Sequence, residues 1–213
     1  MAKAVVTDSI LPLNPSENKM ENCYVFNNLF ATYAIESSDW EFPKSEVSPS
    51  TFSTINNDLR NLKTLFELEL EEVNAINTCT VEYLGKRVII QTVIQGILHF
   101  DQKTWNCYGT IDDGKTMAWN NEFHEIMKKI CDKFHITLDN VYKDEKDELW
   151  KFHGSPEVKG IKAGDGRKYI MDLMRLSPRD TNYPDPKKHE CCVLRPELIK
   201  NYILYNSIEE VYQ

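Results

Sequence analysis

The stretch TCTVEYLGKRVIIQTVIQGIL, residues 78–98, most narrows what this chain can fold into. β-Branched residues crowd both arms, and Leu84-Gly85-Lys86 interrupts them. Such arms suit pleated, half-buried strands, and a glycine between them supplies the positive φ of a tight turn. A hairpin is expected here. VKGIKAGDGRKYIMDLMRL, residues 158–176, offers a second one around Gly164-Asp165-Gly166, and WNCYGTI adds a further strand.

Helical spacing appears between these segments. Phe52, Ile55, Leu59, Leu62 and Phe66 recur at three- and four-residue steps behind Pro49, with Ser48 or Ser50 as cap. NEFHEIMKKICDKFHI sets Phe123, Ile126, Met127, Ile130 and Phe134 on one face, with Asn120 or Asn121 as cap. RPELIKNYIL begins a closing helix at Pro196, with Leu198, Ile199, Tyr202 and Ile203 turned to the core. The expected fold class is α+β, a single domain of antiparallel β-hairpins packed with several helices.

Residues 1–48 differ from the rest. Pro12, Pro15 and Pro43 break them up, and Asn and Ser are frequent, so they read as an extended N-terminal arm ahead of a domain over 49–213. Within the arm, Tyr24, Val25, Phe26, Leu29, Phe30 and Tyr33 fit a short amphipathic helix. That face either packs on the domain or, through Tyr24, Phe26, Leu29 and Phe30, enters a groove of a partner.

The chain has 213 residues, 41% of them hydrophobic and 27% charged, with a net charge of −8. A core is affordable, and coating naked nucleic acid by total field is disfavoured. The start MAKAVVTDSILPLNP lacks the layout of a secretory signal, and no apolar run suits a membrane span. Six scattered cysteines then read as reduced thiols, so the expectation is a cytoplasmic protein with no membrane partner.

GTIDDGKT, residues 109–116, meets the spacing of a phosphate-binding loop through Gly109, Gly114, Lys115 and Thr116. Asp112 and Asp113 would sit inside the cradle and repel a polyphosphate, and the helix begins several residues late. An Asx-type turn between strands explains the segment better than nucleotide hydrolysis. His189-Glu190-Cys191-Cys192 offers metal-ligating types, but no second Cys/His pair stands at zinc spacing. His99, His124, His135 and His153 are isolated, and no nucleophile motif appears. No enzyme activity, metal or cofactor is expected.

Four segments together carry a resemblance. Tyr83 to Leu98 resembles the "Y-x-G-x-R-V-x-x-Q-S-I-I-P-G-I-L" stretch of the CLU domain, from the clustered-mitochondria proteins, with Gln95 in place of the usual Pro. Gly109 to Thr116 resembles that family's "G-S-I-D-x-G-K-T". Gly166 to Arg175, with Pro178, Asp180 and Asn182, resembles "D-G-R-x-Y-x-L-D-L-x-R-x-x-P-x-D-x-N", and Arg195-Pro196-Glu197-Leu198 matches "R-P-E-L". They occur in the family's order. The resemblance implies a protein that is not an NTPase, in a family similar to binders of messenger RNA and associated with translation initiation factors. Long members carry a ubiquitin-like region and helical repeats, for which this chain has no room, so roles resting on those regions are not expected. The Asn-, Ile- and Lys-rich composition fits a compacted genome, such as that of an intracellular parasite.

Charge is unevenly spread. Residues 151–200 hold eleven Lys and Arg against seven Asp and Glu, and the first fifty hold three against seven. Such a split suits a ribonucleoprotein, where phosphate and basic protein lie side by side. Arg167, Lys168, Arg175, Arg179, Lys187 and Lys188 are the candidate RNA or ribosome contacts, with Tyr183 as a base-stacking residue. Arg167 and Arg175 have Asp165 and Asp172 as alternative, internal partners. The expected function is a ribosome-binding dormancy factor, with an mRNA-binding adaptor as the alternative and a nucleotide hydrolase as a remote one.

Overall fold

The computed structural model describes residues 1–34, 49–97, 105–111, 116–136, 140–143, 148–178, 180, 182 and 193–212, with side chains omitted at 49–54, 140–141 and 208–212. Helix α1 (Ala2–Val6) and a 3-10 turn (Lys19–Glu21) precede β1 (Cys23–Phe26) and β2 (Leu29–Tyr33). Helix α2 (Pro49–Glu67) leads to β3 (Asn74–Ala75), β4 (Thr78–Tyr83) and β5 (Lys86–Thr92). Next come β6 (Asn106–Ile111), β7 (Thr116–Ala118) and helix α3 (Asn121–Phe134). A two-stranded ribbon, β8 (Asn140–Lys143) and β9 (Leu149–Phe152), is followed by β10 (Lys159–Lys162) and β11 (Lys168–Met171). A second 3-10 turn (Leu173–Leu176) and helix α4 (Pro196–Tyr212) complete the chain.

Two sheets organise it. The first has strand order β1-β2-β5-β4, antiparallel throughout; the second has order β3-β11-β10-β6-β7, antiparallel except where β3 runs beside β11. The expected α+β class of hairpins and helices is what forms. The β4–β5 turn places Leu84 and Gly85 both at positive φ, 49° and 71°, as a two-residue primed turn requires.

Residues 24–33 do not form the expected helix. They form the β1–β2 hairpin, turning at Asn27-Asn28 with Asn27 at φ 55°, and β2 then pairs with β5 along its whole length. Aromatic residues flanking an Asn pair satisfy period two as well as period 3.6, and the turn residues decide between them. Through residue 34 the expected extended arm is thus a helix, a turn and two strands built into a sheet. Tyr24 is buried edge-to-face against Tyr33, under Val5 of α1.

Helix α3 follows its sequence pattern, with Asn120 capping the Glu122 and Phe123 amides and all five expected apolar residues buried. The Ser48 cap of α2 lies outside the described residues. Ile55 and Leu62 of α2 face inward, but Phe66 is half-exposed and Leu65 takes the core position. Helix α4 departs more. Leu198 and Tyr202 are exposed rather than packed, and Ile199 and Ile203 are half-buried. Apolar residues at 198, 199, 202, 203, 204 and 205 surround that helix, so periodicity cannot select a face.

The main core lies between the second sheet and α2, α3 and the second 3-10 turn, built on Tyr108, Phe123, Met127, Ile130, Phe152 and Ile170. Two glycines permit its closeness. A Cβ on Gly160 would stand 2.5 Å from the Phe123 ring and 2.9 Å from the Tyr108 Cβ. Gly109 has φ 101°, and a Cβ there would run into the carbonyl oxygens of Val158 and Pro156. Gly109 is therefore a packing residue within β6, and Thr116 opens a strand paired back onto it, where a phosphate loop would open a helix. Gly114 and Lys115 lie outside the described residues.

A polar lock joins α2 to the second 3-10 turn. The Asn61 side-chain amide, fully buried, donates to the Leu173 carbonyl at 2.7 Å and to the Ser177 hydroxyl at 2.9 Å. Asp58 accepts from the Met174 amide at 3.1 Å. Burial pushes the Asp58 carboxyl up to about 6 against a usual 3.8.

Replacing Gly109 by Ala combines a backbone clash with a left-handed φ and is expected to cost about 3 kcal/mol in chemical unfolding. An unchanged midpoint would contradict the packing. For Asp58 the folded pKa is raised, so the neutral acid's contribution is complete below the unfolded value and is lost as pH rises through about 6. Asp58→Asn keeps an acceptor for Met174 without the charge. It is expected to exceed the wild type in stability by roughly 2 kcal/mol at pH 8 and to match it near pH 4. Urea titrations at both pH values check this, and an equal difference at the two would count against it.

Candidate nucleic-acid interface

The candidate basic residues that the structure describes stand on the β10–β11 hairpin and just beyond it. Its turn closes through Gly166 N–H to the Ala163 carbonyl and Ala163 N–H to the Arg167 carbonyl. Asp165 accepts the Arg167 amide at 3.1 Å and the Arg167 Nε at 2.7 Å. The guanidinium lies 5.8 Å from the centre of the Tyr169 ring, and its side chain is 56% exposed. Hydrogen bonding from Arg167 holds the Asp165 carboxyl below its usual range, and the same bond raises Arg167.

Lys168 and Arg175 are also matched with acids. Lys168 pairs with Glu122 at the start of α3, beside the Lys129–Glu72 pair, whose hydrogen bond lowers Glu72. These four charges line one cleft of about 610 Å3 with Asn120 and Glu125. Lys159 reaches Asp172 at 3.4 Å, and Arg175 pairs with Glu157 at 2.5 Å. Arg167 therefore takes the internal partner considered for it, whereas Arg175 takes Glu157 instead of Asp172. Arg179, Tyr183, Lys187 and Lys188 lie outside the described residues, as do His189, Cys191 and Cys192. The hairpin turn thus holds Arg167 and Lys168 together, whereas Arg175 lies beyond the open end of the hairpin, and each already faces a carboxylate.

The four residues considered for a partner groove separate. Tyr24 is in the core, Phe26 is half-exposed, and Leu29 and Phe30 are partly buried on opposite faces of β2. The described cysteines Cys23, Cys79, Cys107 and Cys131 are free thiols, and burial pushes Cys131 up to about 12. No helix among the described residues is long and apolar enough to cross a membrane.

Sequence reasoning missed an aromatic stack at the entry to α3. The buried His153 ring lies on that of His124, with centroids 4.1 Å apart and planes 25° apart. Tyr108 Oη is 3.0 Å from His124 Nδ1 and accepts the His153 amide at 3.2 Å. Trp119 continues the row 5.2 Å from His124, its Nε1–H donating to the Lys151 carbonyl at 3.1 Å. These residues are spread over β6, the α3 entry and the end of β9, so no local motif announces them. The one local signal is a Trp immediately before an Asn cap.

A family model described as clustered mitochondria matches residues 1–183. The chain is 30% identical to the clustered mitochondria protein of Arabidopsis thaliana across 98% of its own length. It is 31% identical to the Caenorhabditis elegans homologue across 92%, and 29% identical to the Homo sapiens homologue across 95%. In each case it spans 17% of the relative. No solved structure matches. The match begins at the first residue, so the N-terminal hairpin is part of what is shared, and the chain belongs to the clustered mitochondria family.

Proposed function

We propose that this chain is a non-enzymatic cytoplasmic factor that binds the ribosome and restrains translation by occupying a tRNA or mRNA path. The observation that carries the reading is the division of charge. Residues 151–200 have eleven basic against seven acidic side chains, and the first fifty have three against seven. A basic end can meet rRNA phosphate while the acidic end meets basic ribosomal protein. Within the basic end, the Arg167 guanidinium is presented at a hairpin turn, its plane near Tyr169. Arg179, Lys187, Lys188 and Tyr183 extend the same basic segment.

A second reading, an mRNA-binding adaptor, is favoured by Trp119, which is 41% exposed and fixed on an aromatic stack. The two readings differ in where the protein is found. In a sucrose gradient of native extract, a ribosome factor comigrates with ribosomal particles and is released as salt rises. Residence in ribosome-free messenger particles would favour the adaptor, and residence in the light fractions alone would remove both. Lys187→Glu combined with Lys188→Glu is expected to lower the slope of log affinity against log salt by about 2 for purified ribosomes. An unchanged slope would take those lysines out of the contact.

A further inference from the structure

We propose that Trp119 is a stacking platform for an unpaired base of single-stranded RNA. This deepens the reading of an RNA contact and rests on it, but it stands on observations separate from the basic segment. A surface indole of 41% exposure is ordinarily free to change rotamer. Here Nε1–H is committed to the Lys151 carbonyl at 3.1 Å, which fixes the plane of the ring. Beneath it the row continues through His124 to the buried His153, and Tyr108 Oη holds His124 Nδ1 at 3.0 Å. The ordering cost of a stacking ring has thus been met by the fold before any ligand arrives.

The surroundings indicate what the ring would accept. Lys151, whose carbonyl anchors the indole, is exposed, and so is Lys143 on the paired strand β8. The ribbon register sets Lys143 opposite Leu149 and Lys151 opposite Val141, so both lysines rise from one face. The nearby Glu122 carboxylate is occupied by Lys168. A fixed aromatic plane anchored to a lysine-bearing ribbon suits a planar base joined to a phosphate, and stacking accepts any base without reading its edge. A duplex keeps its bases stacked on one another, so the substrate class is single-stranded RNA. A proline-rich peptide would also use an exposed indole, but it gains nothing from the lysines.

The test uses the full chain and a fluorescein-labelled oligouridine of about a dozen nucleotides. Wild-type protein is expected to bind it with quenching of indole emission. Trp119→Ala should weaken binding at least ~5-fold. Trp119→Phe should retain most of the affinity while losing the quench, and matched thermal melts would show that both variants are folded. Equal binding by Trp119→Ala, or a quench that survives Trp119→Phe and so reports Trp40, Trp105 or Trp150, overturns the proposal. Quenching by a polyproline peptide with none by the oligonucleotide overturns it in favour of a protein ligand. Comigration with ribosomes but no oligonucleotide binding removes the platform and leaves the ribosome reading standing. Oligonucleotide binding through Trp119 without comigration removes the ribosome reading alone.

Discussion

The absence of a side chain at Gly160 is the constraint on which the rest of the structure depends. Its place is filled by the Phe123 ring, so α3 lies directly on β10, with Tyr108 of β6 closing the contact from the neighbouring strand. Gly109 does the same one strand away, letting β6 pass beneath the Val158 and Pro156 carbonyls. With the helix at that distance, Glu122 in its first turn reaches Lys168 on β11, and His124 two residues on reaches Tyr108 and His153. Both the charged cleft and the aromatic stack are therefore consequences of one tight helix-on-sheet contact. A Cβ at Gly160 would push α3 outward and open both, and one at Gly109 would displace the backbone at Pro156 and Val158 that leads into β10.

The elements with a single period were legible in the sequence. α3 has one apolar stripe and an Asn cap, and the β4–β5 arms have β-branched residues around a glycine, so each admits one structure. The failures came where two patterns were satisfied together. Residues 24–33 fit both periods, and only the positive φ tolerated by Asn27 settled the hairpin. α4 is apolar on all sides, and its inward face depends on α2, where Arg60 lies 4.0 Å from Glu197. Among the candidate basic residues, the Arg167–Asp165 pair was legible in the sequence, but Glu122 and Glu157, the partners of Lys168 and Arg175, are distant in sequence and could not be paired without the fold. The stack of Trp119, His124 and His153 was invisible for the same reason. Its members look isolated because the chain returns to them only after a strand, a helix and a ribbon.

The ion pairs around the β10–β11 hairpin are not equivalent as potential phosphate contacts. Arg175 is 24% exposed and Lys159 28%, and each ties the hairpin region to a neighbouring segment, Arg175 through Glu157 and Lys159 through Asp172. In both pairs the cation is the less exposed member and joins two separate segments, so these two belong to the scaffold. Arg167 is different. Its side chain is 56% exposed, and its carboxylate partner is two residues away in the same turn. A solvent-screened pair within one turn contributes little to stability, so a phosphate oxygen can replace Asp165 at little cost. The planar guanidinium would keep a fork of donors toward the incoming anion. The turn would then release a carboxylate to water, where it is stable, rather than into the core. Of the three described basic candidates, Arg167 is thus the one whose present partner can be exchanged without disturbing the fold that holds it.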